Sequence, residues 1–188
     1  MKKLISVALT ALLVFSLACC SPSVTDEQAR SILAGLIPKA EYLNDVFWGE
    51  GLAAKGGASY NASSSISSQY YEVSADCPYQ TLVQLYSAAA EVYSDDYLKI
   101  ISETAFDGSD DIQPRYSEND AGVLTVNVSN KGFELSTTLH PEKATVKRCS
   151  FGVLEVAVPC EFRGEPDEDY IITLVDEDGV WKLDSPTY

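Results

Sequence analysis

The spacing of apolar residues changes from a helical period to a strand period near Pro114, and this change limits the chain to one class of fold. Before that point, the apolar residues from Ala29 to Phe47 recur every three or four positions, as on one face of a helix. After it, short apolar and alternating segments are separated by turn-forming residues. Helices followed by an antiparallel meander predict an α+β domain with the helices packed on one face of the sheet.

The first helix has clear start and stop signals. Thr25 and Gln28 have the spacing of a capping box, and Gly49 follows the last apolar residue of the periodic segment. Pro38 lies inside this helix, where proline removes one hydrogen bond and clashes with the preceding turn. We therefore expect a helix kinked near Leu36, around which a curved sheet can wrap.

Two further helices and a sheet are expected after the first helix. Asp76 or Cys77 is predicted to cap the second helix, with Pro78 in its first turn, and Ser94 is predicted to cap the third. Gln69 to Val73 is predicted as a short strand. The predicted strands after Pro114 are 123–128, 133–139, 144–151, 153–162, 169–175 and 180–183.

The N-terminal segment indicates export. Lys2 and Lys3 precede an uncharged apolar run at 4–17. This run is shorter than the ~20 residues that a membrane-spanning helix needs, and the pattern is typical of a secretory signal peptide.

The apolar run leads directly into cysteine, as in bacterial lipoproteins. Cys19 is the predicted acylated residue because the small Ala18 precedes it, and Cys20 is the alternative. We therefore expect a lipid anchor that holds the chain at the extracytoplasmic face of the cell membrane. The predicted divisions are a signal peptide at 1–18, an anchor and tether at 19–24, and a single α+β domain at 25–188.

The charge of the chain restricts its partners. The formal net charge is −15, and removal of Lys2 and Lys3 with the signal peptide makes it more negative. Such a field repels nucleic acid and other polyanions, so it favours a basic partner. Solubility on a crowded cell surface also explains the acidity and is the favoured explanation.

Cys149 and Cys160 are not expected to form a disulfide. If Gly152 marks a hairpin turn, Cys149 faces Leu154, and Cys160 then lies roughly 20 Å away along the strand. A disulfide requires Cα atoms within about 7 Å. Both cysteines are therefore predicted to be buried thiols within the sheet.

No catalytic set is predicted. Cys77 stands at a predicted helix N-terminus, where the pKa of a thiol falls, but a nucleophilic cysteine also needs a base. His140 is the only histidine, and it is expected to be exposed in a turn far from Cys77. We predict that the protein is not an enzyme and holds no metal or cofactor.

An acidic loop is expected after the third helix. Asp107, Asp110 and Asp111 alternate with small residues, as in some calcium loops, but the later bidentate glutamate is absent. A solvated acidic loop is therefore favoured, and it is a candidate surface for a basic partner.

Two further places are candidates for contact with a partner. Trp48 and Glu50 close the first helix, where Trp48 could anchor an interface or pack into the core. Arg115 precedes Tyr116 and could bind a partner's carboxylate, although internal pairing with Asp184 or a helix acid is favoured.

Three short motifs carry a resemblance to a known group of proteins. They are FWGEG at Phe47–Gly51, PRY at Pro114–Tyr116 and DGVWKLDSPTY at Asp178–Tyr188. Together they resemble small secreted lipoproteins of Gram-positive anaerobes that are similar to the IseA-type DL-endopeptidase inhibitor family. The resemblance implies a cystatin-like cone, in which a bent helix is cradled by a curved antiparallel sheet.

Two functions of different classes follow. The resemblance implies non-enzymatic inhibition of a cell-wall peptidase, and the acidity of the chain favours a basic one. The alternative is a cone that binds a small ligand in a tyrosine-lined pocket between the helix and the sheet. A large polar-lined cavity would favour the ligand, and a filled cone would favour the inhibitor.

Overall fold

The structure, a computed structural model, describes residues 24–57, 70–108, 113–130 and 132–188. Within these ranges, helices and antiparallel strands together confirm the predicted α+β class. The helices are α1 (Asp26–Phe47), α2 (Leu82–Ala90) and α3 (Asp95–Ser102), and α3 continues as a π-helical turn at Glu103–Asp107.

The strands of the described ranges form three antiparallel sheets. In chain order they are β1 (Tyr70–Glu72), β2 (Tyr116–Glu118), β3 (Leu124–Asn127), β4 (Thr137–Leu139), β5 (Thr145–Ser150), β6 (Val153–Val158), β7 (Cys160–Phe162), β8 (Glu165–Pro166), β9 (Tyr170–Glu177) and β10 (Val180–Leu183). The largest sheet has the strand order β10-β9-β6-β5, and the two smaller sheets have the orders β1-β3-β2 and β4-β7-β8.

α1 provides much of the core. The predicted capping box is present: the Gln28 N–H donates to Thr25 Oγ1 at 3.3 Å, and the Thr25 N–H donates to Gln28 Oε1 at 2.9 Å. α1 is continuous through Pro38, and the kink near Leu36 stays a prediction. Its buried apolar face consists of Ala29, Leu33, Ile37, Ala40, Leu43, Val46 and Phe47.

The predicted start of the second helix was wrong. α2 begins at Leu82, and its N-cap is Thr81, whose Oγ1 accepts the Gln84 N–H at 3.2 Å. The Cys77 N–H instead donates to the Ser74 carbonyl at 3.0 Å, which closes a turn before the helix. The third helix does begin at its predicted cap, because Ser94 Oγ accepts the Tyr97 N–H at 3.0 Å.

The single strand predicted at 153–162 is divided in two. Pro159 separates β6 from β7, because proline has no N–H to donate to a neighbouring strand. β6 pairs with β5 and β9, whereas β7 pairs with β4 and β8. Phe162, the last residue of β7, is 47% exposed.

The described cysteines are free thiols, as predicted for Cys149 and Cys160. Cys149 lies opposite Leu154 in the β5–β6 pair, in the register expected from a turn at Gly152, but it is half-buried, so the expectation that it is buried was wrong. Cys160 is buried in β7, where its Sγ donates to the Glu168 carbonyl at 3.1 Å. Burial, with the nearby Asp167, raises the pKa of this thiol.

Buried side chains from all three helices and all three sheets form one continuous hydrophobic cluster. The space between α1 and the largest sheet is filled by residues such as Leu33, Leu154, Val156 and Ile172, all without measurable exposure. In this part of the chain, the interior is a packed core.

Candidate partner-binding site

A tight turn after α1 positions most of the predicted partner-binding residues. The Trp48 N–H donates to the Asn44 carbonyl at 2.7 Å, and the Gly51 N–H donates to the Asp45 carbonyl at 3.0 Å. Gly49 approaches Asp45 so closely that a Cβ would overlap its side chain. This crowding explains the first glycine of FWGEG.

Arg115 lies beneath this turn. Its guanidinium donates from Nη2 to the Gly49 carbonyl at 2.6 Å, and only 6% of the residue is exposed. A Cβ on Gly51 would overlap the guanidinium, and φ at this glycine is 82°. Arg115 therefore supports the turn from inside and is not placed to grip a partner's carboxylate from the surface.

The predicted ion pair between Arg115 and Asp184 was wrong. Asp184 follows β10 and instead accepts a hydrogen bond from Ser94 Oγ at the start of α3. Arg115 precedes β2 in a different sheet, and its Nε is buried without a hydrogen-bond partner. No ion pair to Arg115 is found among the residues that the structure describes.

Tyr116 fastens the same turn at its other side. Its hydroxyl donates to the Val46 carbonyl at 2.8 Å and accepts the Leu52 N–H at 3.0 Å. The residue is fully buried, and burial raises the pKa of Tyr116 to about 12. Tyr116 thus joins the last turn of α1 to the chain that leaves it, and it does not contact solvent.

Three aromatic rings lie together where α1 ends, and we call Trp48, Phe133 and Tyr188 the aromatic end. The Tyr188 ring is 5.8 Å from the Trp48 ring and 5.7 Å from the Phe133 ring, measured between centroids. Phe133 is 53% exposed, whereas Trp48 and Tyr188 are half-buried. Glu50, in the same turn as Trp48, is exposed. Trp48 therefore packs on the core and also adjoins the surface, and its role as an interface anchor stays a prediction.

Backbone contacts hold Phe133 against the turn. The Phe133 N–H donates to the Trp48 carbonyl at 2.9 Å, and Gly132 lies so close to the Gly49 carbonyl that a Cβ at 132 would overlap it. The strand predicted at 133–139 consequently begins only at Thr137. Phe133 was missed as a site residue because it was assigned to that strand, although the preceding glycine is a signal of close backbone approach.

Asp107 lies at a second surface. It ends the π-helical turn, is exposed, and lines an open groove of about 320 Å³ with Val83, Tyr86 and Phe106 among its neighbours. Phe106 packs edge-on against Phe47 at 5.7 Å. Asp110 and Asp111 lie outside the described residues.

A tyrosine-lined groove of about 380 Å³ lies between α1 and α2. Tyr42 and Tyr79 line it with their rings 6.3 Å apart, and the Lys39–Glu91 ion pair, 3.4 Å long, is at its edge. Burial raises the pKa of both tyrosines. The tyrosine-lined pocket was expected between the helix and the sheet, where the described residues form a packed core.

Cys77 and His140 have separate partners. The Cys77 thiol donates to the Ala53 carbonyl at 3.6 Å. His140 Nε2 lies 3.1 Å from a Glu161 carboxylate oxygen, and Nδ1 lies 3.6 Å from one of Glu142. His140 is therefore half-buried between two acids, and the expectation that it is exposed was wrong.

The described residues also lack two features. They contain no group of three or more His, Cys, Asp or Glu side chains that could hold a metal ion. Nor does any of their helices combine the length and apolarity needed to cross a membrane. No protein-family model matches the chain, and a search of the curated proteins likewise finds no match.

Proposed function

We propose that this protein is a lipid-anchored, non-catalytic binding module of the cell surface that docks its aromatic end on a basic cell-wall peptidase and inhibits it. The observation that carries the proposal is Phe133, a large apolar side chain that is half exposed and yet fixed through its backbone. Exposed aromatic residues in fixed positions are typical anchors of protein interfaces.

The aromatic end supports docking because it is organised before a partner arrives. Trp48 and Tyr188 pack beside the Phe133 ring, and the Phe133 N–H bonds to the turn. A ring held in this way loses little conformational freedom on binding, so more of its buried area contributes to affinity. Arg115 and Tyr116 contribute by fixing the turn from beneath.

The charge distribution supports a basic partner. The net charge is −15, and Glu50 and Asp107 are exposed at or near the two candidate surfaces. Opposite charge accelerates the encounter of two proteins, and salt weakens this steering because the Debye length falls from ~30 Å at 0.01 M to ~3 Å at 1 M.

The packed core between α1 and the largest sheet also supports a surface function. A ligand-binding cone would need an internal cavity there, and the described residues fill that space. The groove between Tyr42 and Tyr79 keeps a small ligand as the second candidate, since its volume of about 380 Å³ lies within the range of ligand sites.

Inhibition of purified wall endopeptidases from the same organism tests the proposal. Phe133→Ala is expected to weaken inhibition at least ~10-fold, because interface anchors cost more than about 1–2 kcal/mol when truncated. Phe162→Ala is the matched control, since Phe162 is 47% exposed and lies elsewhere in β7. Equal inhibition by both variants would contradict docking through the aromatic end. If no peptidase is bound at micromolar protein and a small molecule raises the melting temperature, the ligand-binding candidate replaces the proposal.

A further inference from the structure

The turn between β5 and β6 presents a phenylalanine to solvent. Phe151 is 97% exposed, the most exposed of the large hydrophobic residues in the described ranges. Phe151 and Gly152 have φ angles of 51° and 77°, the left-handed conformation of a two-residue hairpin turn. Asparagine and glycine are favoured at the first of these positions, so phenylalanine is not explained by the turn.

This turn lies beyond the N-terminal end of α1. Arg30 Nε donates to the Ala144 carbonyl at 2.9 Å, and the Val146 N–H donates to an Asp26 carboxylate oxygen at 2.8 Å. β5 therefore runs antiparallel to α1 and advances past its first residue. From Val146 to Phe151 the chain continues for five residues, or about 16 Å at strand spacing.

The turn between β9 and β10 lies at the same end. The Asp176 N–H donates to the Gly152 carbonyl at 2.8 Å, which places the two turns side by side. Val180, the first residue of β10, is also exposed. Trp181 and Val24 line a shallow groove of about 300 Å³ beside the start of α1. Apolar groups are thus concentrated where the chain enters the domain.

The predicted anchor is close to this end. Only six residues lead from Cys19 to the N-cap Thr25, and a fully extended chain of that length spans at most about 21 Å. A lipid anchor at Cys19 would keep the N-terminus of α1 within about 21 Å of the membrane, and the five residues from Val146 to Phe151 carry the turn at most about 16 Å beyond the contact of β5 with Asp26. A tether that is not fully extended therefore brings the turn within reach of the bilayer interface, which apolar side chains enter to a depth of ~5–10 Å.

We propose that the Phe151 turn is a second membrane contact, which inserts its ring into the bilayer that holds the lipid anchor. The inference rests on the anchor in the proposed function and adds a defined orientation, with the N-terminal end of α1 toward the membrane. The occupant is the bilayer because the short tether brings it to this end of the domain, whereas a protein partner has no such constraint.

Charges around the turn determine the lipids that it tolerates. Asp176 near the end of β9 and Asp178 in the turn that follows are acidic, and the cations Lys147 and Arg148 lie on β5. Arg148 is paired with Glu155 at 2.7 Å. The turn therefore has no excess of positive charge, so insertion is expected to depend on the ring, and anionic head groups are not expected to strengthen it.

The test uses the full acylated chain reconstituted in vesicles. Phe151→Trp is compared with wild type and with Phe162→Trp. Phe162 is in β7, which follows the end of β6 that is farther from the Phe151 turn. Lipids whose acyl chains are brominated close to the head group quench tryptophan fluorescence only when the indole ring enters the bilayer. We expect at least twofold quenching of the added fluorescence at 151 and none at 162, after subtraction of the wild-type signal from Trp48 and Trp181.

The outcomes separate this inference from the anchor itself. Fatty-acid labelling that is lost in Cys19→Ser or Cys20→Ser, together with quenching at 151, supports both. Labelling without quenching at 151 overturns the membrane contact and leaves the anchor intact. Absence of label from the wild type overturns both. If Phe151→Asn abolishes peptidase inhibition while residue 151 is not quenched, the turn is a protein-docking surface instead.

Discussion

Replacement of Tyr116 by phenylalanine tests how the turn after α1 is held. The ring of Tyr116 is fully buried, and its hydroxyl joins the Val46 carbonyl to the Leu52 N–H at 2.8 and 3.0 Å. Phenylalanine keeps the ring and removes only this bridge. The change therefore isolates the hydroxyl from the packing of the side chain.

At neutral pH the variant is expected to be less stable. A buried donor and a buried acceptor both lose their partner, and an unsatisfied buried group costs about 1–3 kcal/mol. Some relaxation of the Leu52 segment toward water would place the loss at the lower end of that range. We expect the free energy of unfolding to fall by about 1–3 kcal/mol at pH 7.

At alkaline pH this difference should shrink. Burial raises the pKa of Tyr116 to about 12 from its ordinary value of 10.0, so the folded protein retains the phenol proton where the unfolded chain loses it. The stability that this difference in the pKa of Tyr116 gives to the folded protein is complete below pH 10 and is lost as the pH rises through 12. At pH 11 the wild type should have lost about 1.4 kcal/mol through this residue, a loss that the phenylalanine variant cannot show.

Urea unfolding of both proteins, followed by tryptophan fluorescence at pH 7 and pH 11, measures the two differences. The other tyrosines titrate in both proteins, so their contributions to the pH dependence of the unfolding free energy cancel in the comparison. Tyr71→Phe is a suitable control because Tyr71 is exposed on β1, and its stability at pH 7 should match that of the wild type. A pH-independent difference, or none at pH 7, would refute the bridge through the Tyr116 hydroxyl.

Three other changes give distinct outcomes. Leu43→Ala should lower the free energy of unfolding by about 2–5 kcal/mol in denaturant melts, because Leu43 is buried in the core; a loss near zero would show that α1 is not enclosed. Phe151→Asn should raise stability by about 1 kcal/mol in the same melts, because asparagine adopts left-handed φ at lower cost; destabilisation would mean that the ring packs on the domain. Changing Asp107, Asp110 and Asp111 together to Asn should slow association with a basic peptidase at low salt and leave the melting temperature unchanged; an unaltered rate would remove these acids from the encounter.

The sequence predicts the elements that depend on periodicity and local capping. The apolar spacing of α1 and the side-chain cap at Ser94 act within one or two turns of chain, so both are recognisable without the tertiary structure. The Gly152 turn also determined the register of Cys149 against Leu154. The division of 153–162 was missed because alternation continues across Pro159, and only the change of sheet partners reveals the break.

The candidate site is less accessible to sequence reasoning because its residues come from distant parts of the chain. The spacing of FWGEG indicated that Trp48 closes a helix, but it could not show that Phe133 and Tyr188 pack there. Arg115 was expected to form an ion pair with an acidic side chain, since burial of a cation without a counter-charge lowers the stability of the fold. Its place beneath Gly49 depends on Gly51, whose missing Cβ leaves room for the guanidinium, a steric condition that no local pattern expresses.

In the two proposals together, α1 is a spacer between the membrane contact and the aromatic end. The helix has 22 residues and is therefore about 33 Å long. Its N-terminal end adjoins the Phe151 turn and would adjoin the proposed tether, and the aromatic end lies at its C-terminal end. If Phe151 is in the bilayer and α1 is perpendicular to the membrane, Phe133 is held about 30 Å from the membrane surface, where a wall-bound enzyme can meet it. A tether that acted alone would allow the domain to tilt and bring the aromatic end toward the lipid. A second contact at the hairpin restricts that motion, so loss of Phe151 should weaken inhibition on vesicles and leave inhibition in detergent solution unchanged.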